Sequence, residues 1–179
     1  GGKAIMPGMA GLETILGNHC AANIAHPKST FGTTRGNPIW EEIGEVARTA
    51  NASFLVNVTL NRSQEITGVF AGDLESAHAA GVEFVRRSSM VAVDGLFDIV
   101  VTGNSGHPLD LNLYQAVKGL SAASRIVRPS GMICMAASCW DGIPDHGHFK
   151  QLLAEADNPD GLLQTVMKPG FRMQDQWQS

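Results

Sequence analysis

Short apolar runs alternate with stretches of helical periodicity along this chain, and that alternation restricts the fold more than any other feature. Phe97 to Thr102 and Gly131 to Ser138 have strand length and almost no polar break. Between them, residues 109–127 read as one long helix with Leu113, Val117 and Leu120 as its packed stripe. Strands that are apolar throughout are covered on both faces, which calls for helices in layers. The expected fold is therefore layered α/β with mostly parallel strands. At 179 residues and 44% apolar composition, a core is affordable for one domain or two small ones.

The first half follows the same logic less regularly. Leu12, Ile15, Leu16 and His19 recur at i, i+3, i+4 and i+7, so a helix over 9–25 would carry a histidine on its inward face. A polar loop over 26–37 ends in Asn37-Pro38, an N-cap and first-turn proline, and Trp40, Ile43 and Ala47 form the stripe of the helix that follows. Residues 53–60 and 66–70 read as a hairpin turning at Asn61 to Gln64. A helix over 74–87 ends at Arg86 and Arg87, and a short strand is expected over 89–93. Asp94-Gly95 is the expected boundary, giving partial domains over 1–93 and 96–179 that meet at a cleft. Two short helices, 147–156 and 160–168, are separated by Asn158-Pro159. The chain opens in a glycine run without Met and reads as part of a longer protein.

Several function classes fall away. The net charge is −4 with no long basic run, so nucleic acid is not the expected partner. The apolar runs are too short to span a membrane. Three cysteines without a CxxC pair fit a reducing, cytoplasmic setting better than a disulfide framework.

Candidate chemistry gathers at a few positions. Lys3, beside a glycine pair, can act as a nucleophile or charge clamp, although a solvated loop lysine is the commoner use. His19 is either a hydrogen-bonded core residue or a metal ligand, and no second ligand stands at i±3 or i±4. Tyr114, Gln115 and Lys118 fall on one helical arc and offer a phenol, an amide and a cation to a small carboxylate or hydroxyl; a solvated flank is the alternative. Tyr114-x-x-x-Lys118 also matches the catalytic pair of short-chain dehydrogenases, but no glycine-rich dinucleotide turn precedes it. His146-Gly-His148, with Asp141 and Asp145 nearby, follows no standard ligand spacing and reads as a loop. Cys139 sits after a strand end without a visible base.

Taken together, Gly1-Gly2-Lys3, Met6-Pro7-Gly8, Glu13-Thr14-Ile15, Asn18-His19, Gly36-Asn37-Pro38, Asn57, Gly72-Asp73, Ala77-His78, Pro108-Leu109-Asp110 and Leu113-Tyr114-Gln115-Ala116-x-Lys118-Gly119 resemble the nickel-pincer lactate racemase family over essentially the whole chain. The resemblance implies a pyridinium-3,5-bisthiocarboxylic acid mononucleotide that holds nickel through sulfur, carbon and sulfur. Lys3 would form its thioamide and His19 would be the fourth nickel ligand. Gln115 and Lys118 would be cleft residues near substrate and cofactor, with Tyr114 and Trp177 in cofactor contact. It also implies an isomerase, a racemase or epimerase of 2-hydroxy acids that abstracts and returns the α-hydride. The family's two general-base histidines and its carboxylate-binding arginine precede the cofactor lysine. This chain alone is thus expected to be inactive and to need the missing N-terminal part. A homo-oligomer is compatible with this reading. A non-catalytic α/β ligand-binding or assembly module that keeps the fold stays open beside it.

Overall fold

The computed structural model describes residues 2–145 and 147–179. The chain divides into two compact units, Gly1–Val91 and Ala92–Ser179. Both mix helix and strand, so the class is α/β, with one antiparallel and one parallel sheet.

The first unit contains α1 (Gly2–Ile5), α2 (Leu12–Asn18), α3 (Ala21–Ile24), α4 (Pro38–Thr49), β1 (Leu55–Leu60), β2 (Ile66–Gly72) and α5 (Leu74–Ser89). β1 and β2 form the expected antiparallel hairpin, with Val58 opposite Val69. Side chains alternate along β1, because only one face of the pair is covered, by α5. Phe70 from β2 meets Phe84 from α5 at 5.5 Å between ring centroids. The opposite face leaves Val56, Val58 and Val69 exposed. Two helix starts are fixed by side chains: Asn37 accepts from the Ile39 and Trp40 amides, and Asp73 from those of Glu75 and Ser76.

Two expectations fail here, and one segment gains an element. The helix expected over 9–25 breaks into α2 and α3, with His19 as the C-cap of α2 and Cys20 extended. Gly17 and Asn18 are poor helix formers, and the Asn18 side chain is spent on α4 instead. Residues 89–93 form no strand: α5 runs on to Ser89 and the chain then continues without regular structure. Gly2–Ile5, unassigned by periodicity, is a helical turn.

The second unit contains β3 (Phe97–Gly103), α6 (Leu113–Ala123), β4 (Val127–Ala136), α7 (Phe149–Leu153) and α8 (Pro159–Val166). β3 and β4 are parallel, joined through α6, with Val100 opposite Ile133. The register shifts between Phe97 and Ile99, where Pro129 and the left-handed Ser130 lie in the partner strand. α6 is shorter than expected at both ends. Asn112 caps it by accepting from the Gln115 amide, which leaves 107–112 as turns, and Val127 already belongs to β4. Gly119 lets α6 close onto the end of β3, since a Cβ there would strike the Gly103 carbonyl oxygen. Phe149 and Leu152 from α7 are fully buried and anchor this unit's core, together with Ala116 from α6. Among the described residues, no helix is long and apolar enough to cross a membrane.

Candidate functional site

In the first unit, Lys3 and His19 line the same open cavity, of about 1260 Å³, with Asn57, Trp40 and His78 also on its walls. Lys3 is exposed on α1. Gly2 brings α1 against α4: a Cβ there would stand 3.1 Å from both Ala47 Cβ and Ile43 Cγ2. The turn after α1 closes with the Gly8 amide on the Lys3 carbonyl at 3.0 Å. His19 is set by its neighbour. Asn18 is fully buried and donates from Nδ2 to Ile39 O at 3.2 Å and to Glu42 Oε2 at 2.7 Å, both on α4. The Asn23 amide group holds the Asn18 carbonyl at 2.9 Å. These bonds fix the end of α2 and therefore the position of the following imidazole.

Burial is the main cause that lowers the His19 pKa, and the Lys3 ammonium lowers it further, while Glu42 opposes both. The imidazole is thus kept neutral, the form that can bind a metal. Among the described residues, no three His, Cys, Asp or Glu side chains converge on a metal position. A metal at His19 would take its remaining ligands from a bound group. A primary amine and an imidazole lining one cavity fit such a group.

In the second unit, Tyr114, Gln115 and Lys118 stand on α6, beside the C-terminal ends of two parallel strands, where α/β sites collect. Lys118 Nζ donates to Gln115 Oε1 at 2.6 Å, which joins the cation and the amide in one exposed pair. The loop before α6 and the loop after β4 are tied together. The Ser138 amide donates to Asp110 Oδ2 and the Cys139 amide to the Asp110 carbonyl, both at 2.9 Å. Asn104 Nδ2 adds bonds to the carbonyls of Leu109 and Gln115.

Tyr114 turns the other way. Its ring meets Phe149 edge-on at 5.4 Å, and its hydroxyl accepts from Trp177 Nε1 at 2.9 Å. Gln178 Nε2 also donates to the Tyr114 carbonyl at 2.7 Å. Burial is the largest cause raising the phenol pKa; the Trp177 N–H opposes it, and the charge and hydrogen bond of Asp175 add to it.

The structure therefore pairs Gln115 with Lys118 and Tyr114 with Trp177, and puts Lys3 and His19 on one cavity. It does not pair Tyr114 with Lys118, as the dehydrogenase alternative requires, because both groups are engaged elsewhere. His146 lies outside the described residues. Asp145 bonds Lys150 Nζ at 3.1 Å, and Cys139 is a strained turn residue with φ 45°. Residue patterns missed the clamp made by Asn18 and Glu42, and they missed Asp175. The dipeptide Asn18-His19 was visible, but its partners lie more than twenty positions away.

The family model described as the lactate racemase C-terminal domain matches residues 93–179. The chain is 40% identical over 180 residues to a lactate racemase of Lactiplantibacillus plantarum, covering 99% of this chain and 42% of that protein. It is 37% identical over 181 residues to a lactate racemase of Thermoanaerobacterium thermosaccharolyticum, covering 100% of this chain and 42% of that protein. The solved structure of the lactate racemase apoprotein from the latter organism superposes with a TM-score of 0.93 at 37% identity, covering 99% of this chain and 43% of that one. The chain thus spans less than half the length of these relatives.

Proposed function

Because the chain belongs to the lactate racemase family, we propose that it is part of a cytoplasmic 2-hydroxy acid racemase or epimerase that uses a nickel-pincer nucleotide. The observation that carries the reading is that Lys3 and His19 line the same cavity. When bound, the nucleotide would supply nickel-based hydride chemistry at the α-carbon of the substrate. Lys3 would hold it through its amine, and His19 would supply the imidazole ligand to nickel. The residues from Gly1 to position 93 would then be the tail of the N-terminal catalytic and cofactor domain, and 96–179 most of the C-terminal domain. In the latter, Lys118 would attract the substrate carboxylate, and Gln115, already bonded to it, would orient that cation. Tyr114 and Trp177 would present a fixed aromatic pair to the cofactor. The proton-transfer groups would come from the missing N-terminal part of the same protein, so the present chain would bind and position without turning over.

The test is intact mass and nickel content of the full-length protein, co-produced with cofactor-synthesis enzymes, as wild type, Lys3→Ala and His19→Ala. The expected result is a mass adduct lost in Lys3→Ala and nickel lost in His19→Ala. Neither adduct nor nickel in the wild type, even after free cofactor is added, would overturn the reading.

A further inference from the structure

We propose that the bare face of the β1–β2 hairpin is an interface, and that its occupant is the missing N-terminal part of the same protein. Three rungs carry that face. Val56 stands opposite Ala71, Val58 opposite Val69 and Leu60 opposite Ile66. Opposed residues share a face, as do residues two apart on a strand, so all six lie together. All six are exposed, the five larger ones from 47% at Val58 to 62% at Ile66, and none is charged. Single apolar residues on a surface need no explanation, but a contiguous block of six does. Among the described residues the sheet has no third strand, so the outer edges of β1 and β2 are unpaired as well. A two-stranded sheet is marginal in water without more strands or a packed layer.

The choice of occupant follows from how the relatives match. The C-terminal domain model begins at residue 93, whereas the two lactate racemases match over 99% and 100% of this chain. The hairpin therefore aligns with a part of those proteins that precedes their C-terminal domain. This chain covers only 42% of each, so more than half of their length is available to complete that part. A second copy of the chain is the other candidate, but it could cover the face only where the rest of the domain does not. The consequence reaches the cavity. Asn57, Thr59 and Phe70, from the same two strands, are on the walls of the cavity that holds Lys3 and His19. The missing part would thus back a wall of the cavity from outside, in addition to supplying proton-transfer groups. The proposal rests on the reading of residues 1–93 as the tail of the N-terminal domain, and it does not depend on nickel.

The test uses the full-length protein. Val69→Cys puts a thiol on the middle rung, and Ser63→Cys puts one on the exposed turn of the same hairpin. Maleimide labelling compares them, with sites located by peptide mass so that Cys20, Cys134 and Cys139 are scored apart. The Val69→Cys thiol should react at least about tenfold more slowly than the Ser63→Cys thiol, because a covered side chain reacts only when the interface opens. Equal rates in a folded protein overturn the proposal. Should Val69→Cys fail to fold, the wild type decides. Carbene footprinting should then mark Val56, Leu60 and Ile66 less than the 61–64 turn, and equal marking overturns the proposal. Dilution to the monomer separates the occupants: protection that persists supports the missing part, and protection that vanishes assigns the face to a second copy and overturns it. Nickel content of the same samples keeps the two readings apart. Protection without nickel leaves the interface standing and counts against the racemase; an open face with nickel bound overturns the interface alone.

Discussion

His19 in the first unit and Tyr114 in the second are both half-buried aromatic groups, yet they are held in different ways. Tyr114 is gripped directly, by Trp177 at its hydroxyl and by Phe149 against its ring. His19 is supported from behind as well: Asn18, the residue before it, reaches across to α4. The first arrangement spends the side chain's polar atom on the protein. The second fixes a position while the imidazole faces a cavity that it shares with Lys3. A group meant to form a wall suits direct gripping, and a group meant to bind a ligand suits support through its neighbour.

The largest break in this contrast should come from Phe149→Ala. Phe149 is 1% exposed, and truncating a buried phenylalanine costs about 3–5 kcal/mol. Chemical denaturation should show a loss of that order. Before unfolding, the tyrosinate midpoint of Tyr114 should fall toward the ordinary value, because the desolvation that raises it is relieved. An unchanged midpoint would show that the hydroxyl partners alone hold the ring.

Asn18→Ala comes next. It removes two side-chain bonds from a fully buried residue and leaves Glu42 without its donor, a loss of about 1–3 kcal/mol. Denaturation midpoints check the stability. NMR of the histidine ring should show His19 moving, and a His19 resonance that stays in place would remove the claim of support through Asn18.

These two anchors were unequally visible in the chain. The hairpin was legible, because alternation along β1 and the turn after it are local signals. So was the parallel pair of β3 and β4 around α6, whose apolar runs mark both strands. The break at His19 was not, because Leu12, Ile15, Leu16 and His19 keep helical spacing through it, and what ends the helix is a side chain bonded to Glu42, 24 positions on. The overlong helix over 109–127 erred for a related reason: apolar spacing continues past the cap at Asn112, and only the capping bond shows where α6 begins. For the site, residue identities pointed to Lys3, His19, Gln115 and Lys118. The pairing of Tyr114 with Trp177 spans 63 positions and leaves no trace in spacing.

A smaller effect is expected at that cap. Asn112→Ala should cost about 1 kcal/mol, the usual loss of an asparagine N-cap. The Gln115 amide would keep its bond to the Asn112 backbone carbonyl at 3.2 Å, which holds the loss to that of an ordinary cap. In the full-length protein the consequence would be a looser Gln115–Lys118 pair, read as a raised KM with kcat less affected. An unchanged KM would place substrate binding away from this helix start.

The smallest and most discriminating change concerns charge around His19 in the metal-free chain. Its folded pKa lies below the ordinary histidine value of about 6.5, so the unfolded chain takes up the proton first as pH falls. The stability tied to the neutral imidazole is therefore fully present above about 6.5 and is lost as pH drops through the folded pKa. His78 is shifted in the same direction by burial and must be followed separately. Burial leads the His19 shift, with Lys3 adding to it and Glu42 opposing it, so two neutralising variants should move the midpoint in opposite directions. Lys3→Met should raise it and Glu42→Gln should lower it, each by less than the burial contribution that remains. Histidine proton resonances followed against pH separate the two. Movement in the same direction would mean that changes in burial outweigh the two charges, and Lys3 would then not be near enough to share a bound group with His19.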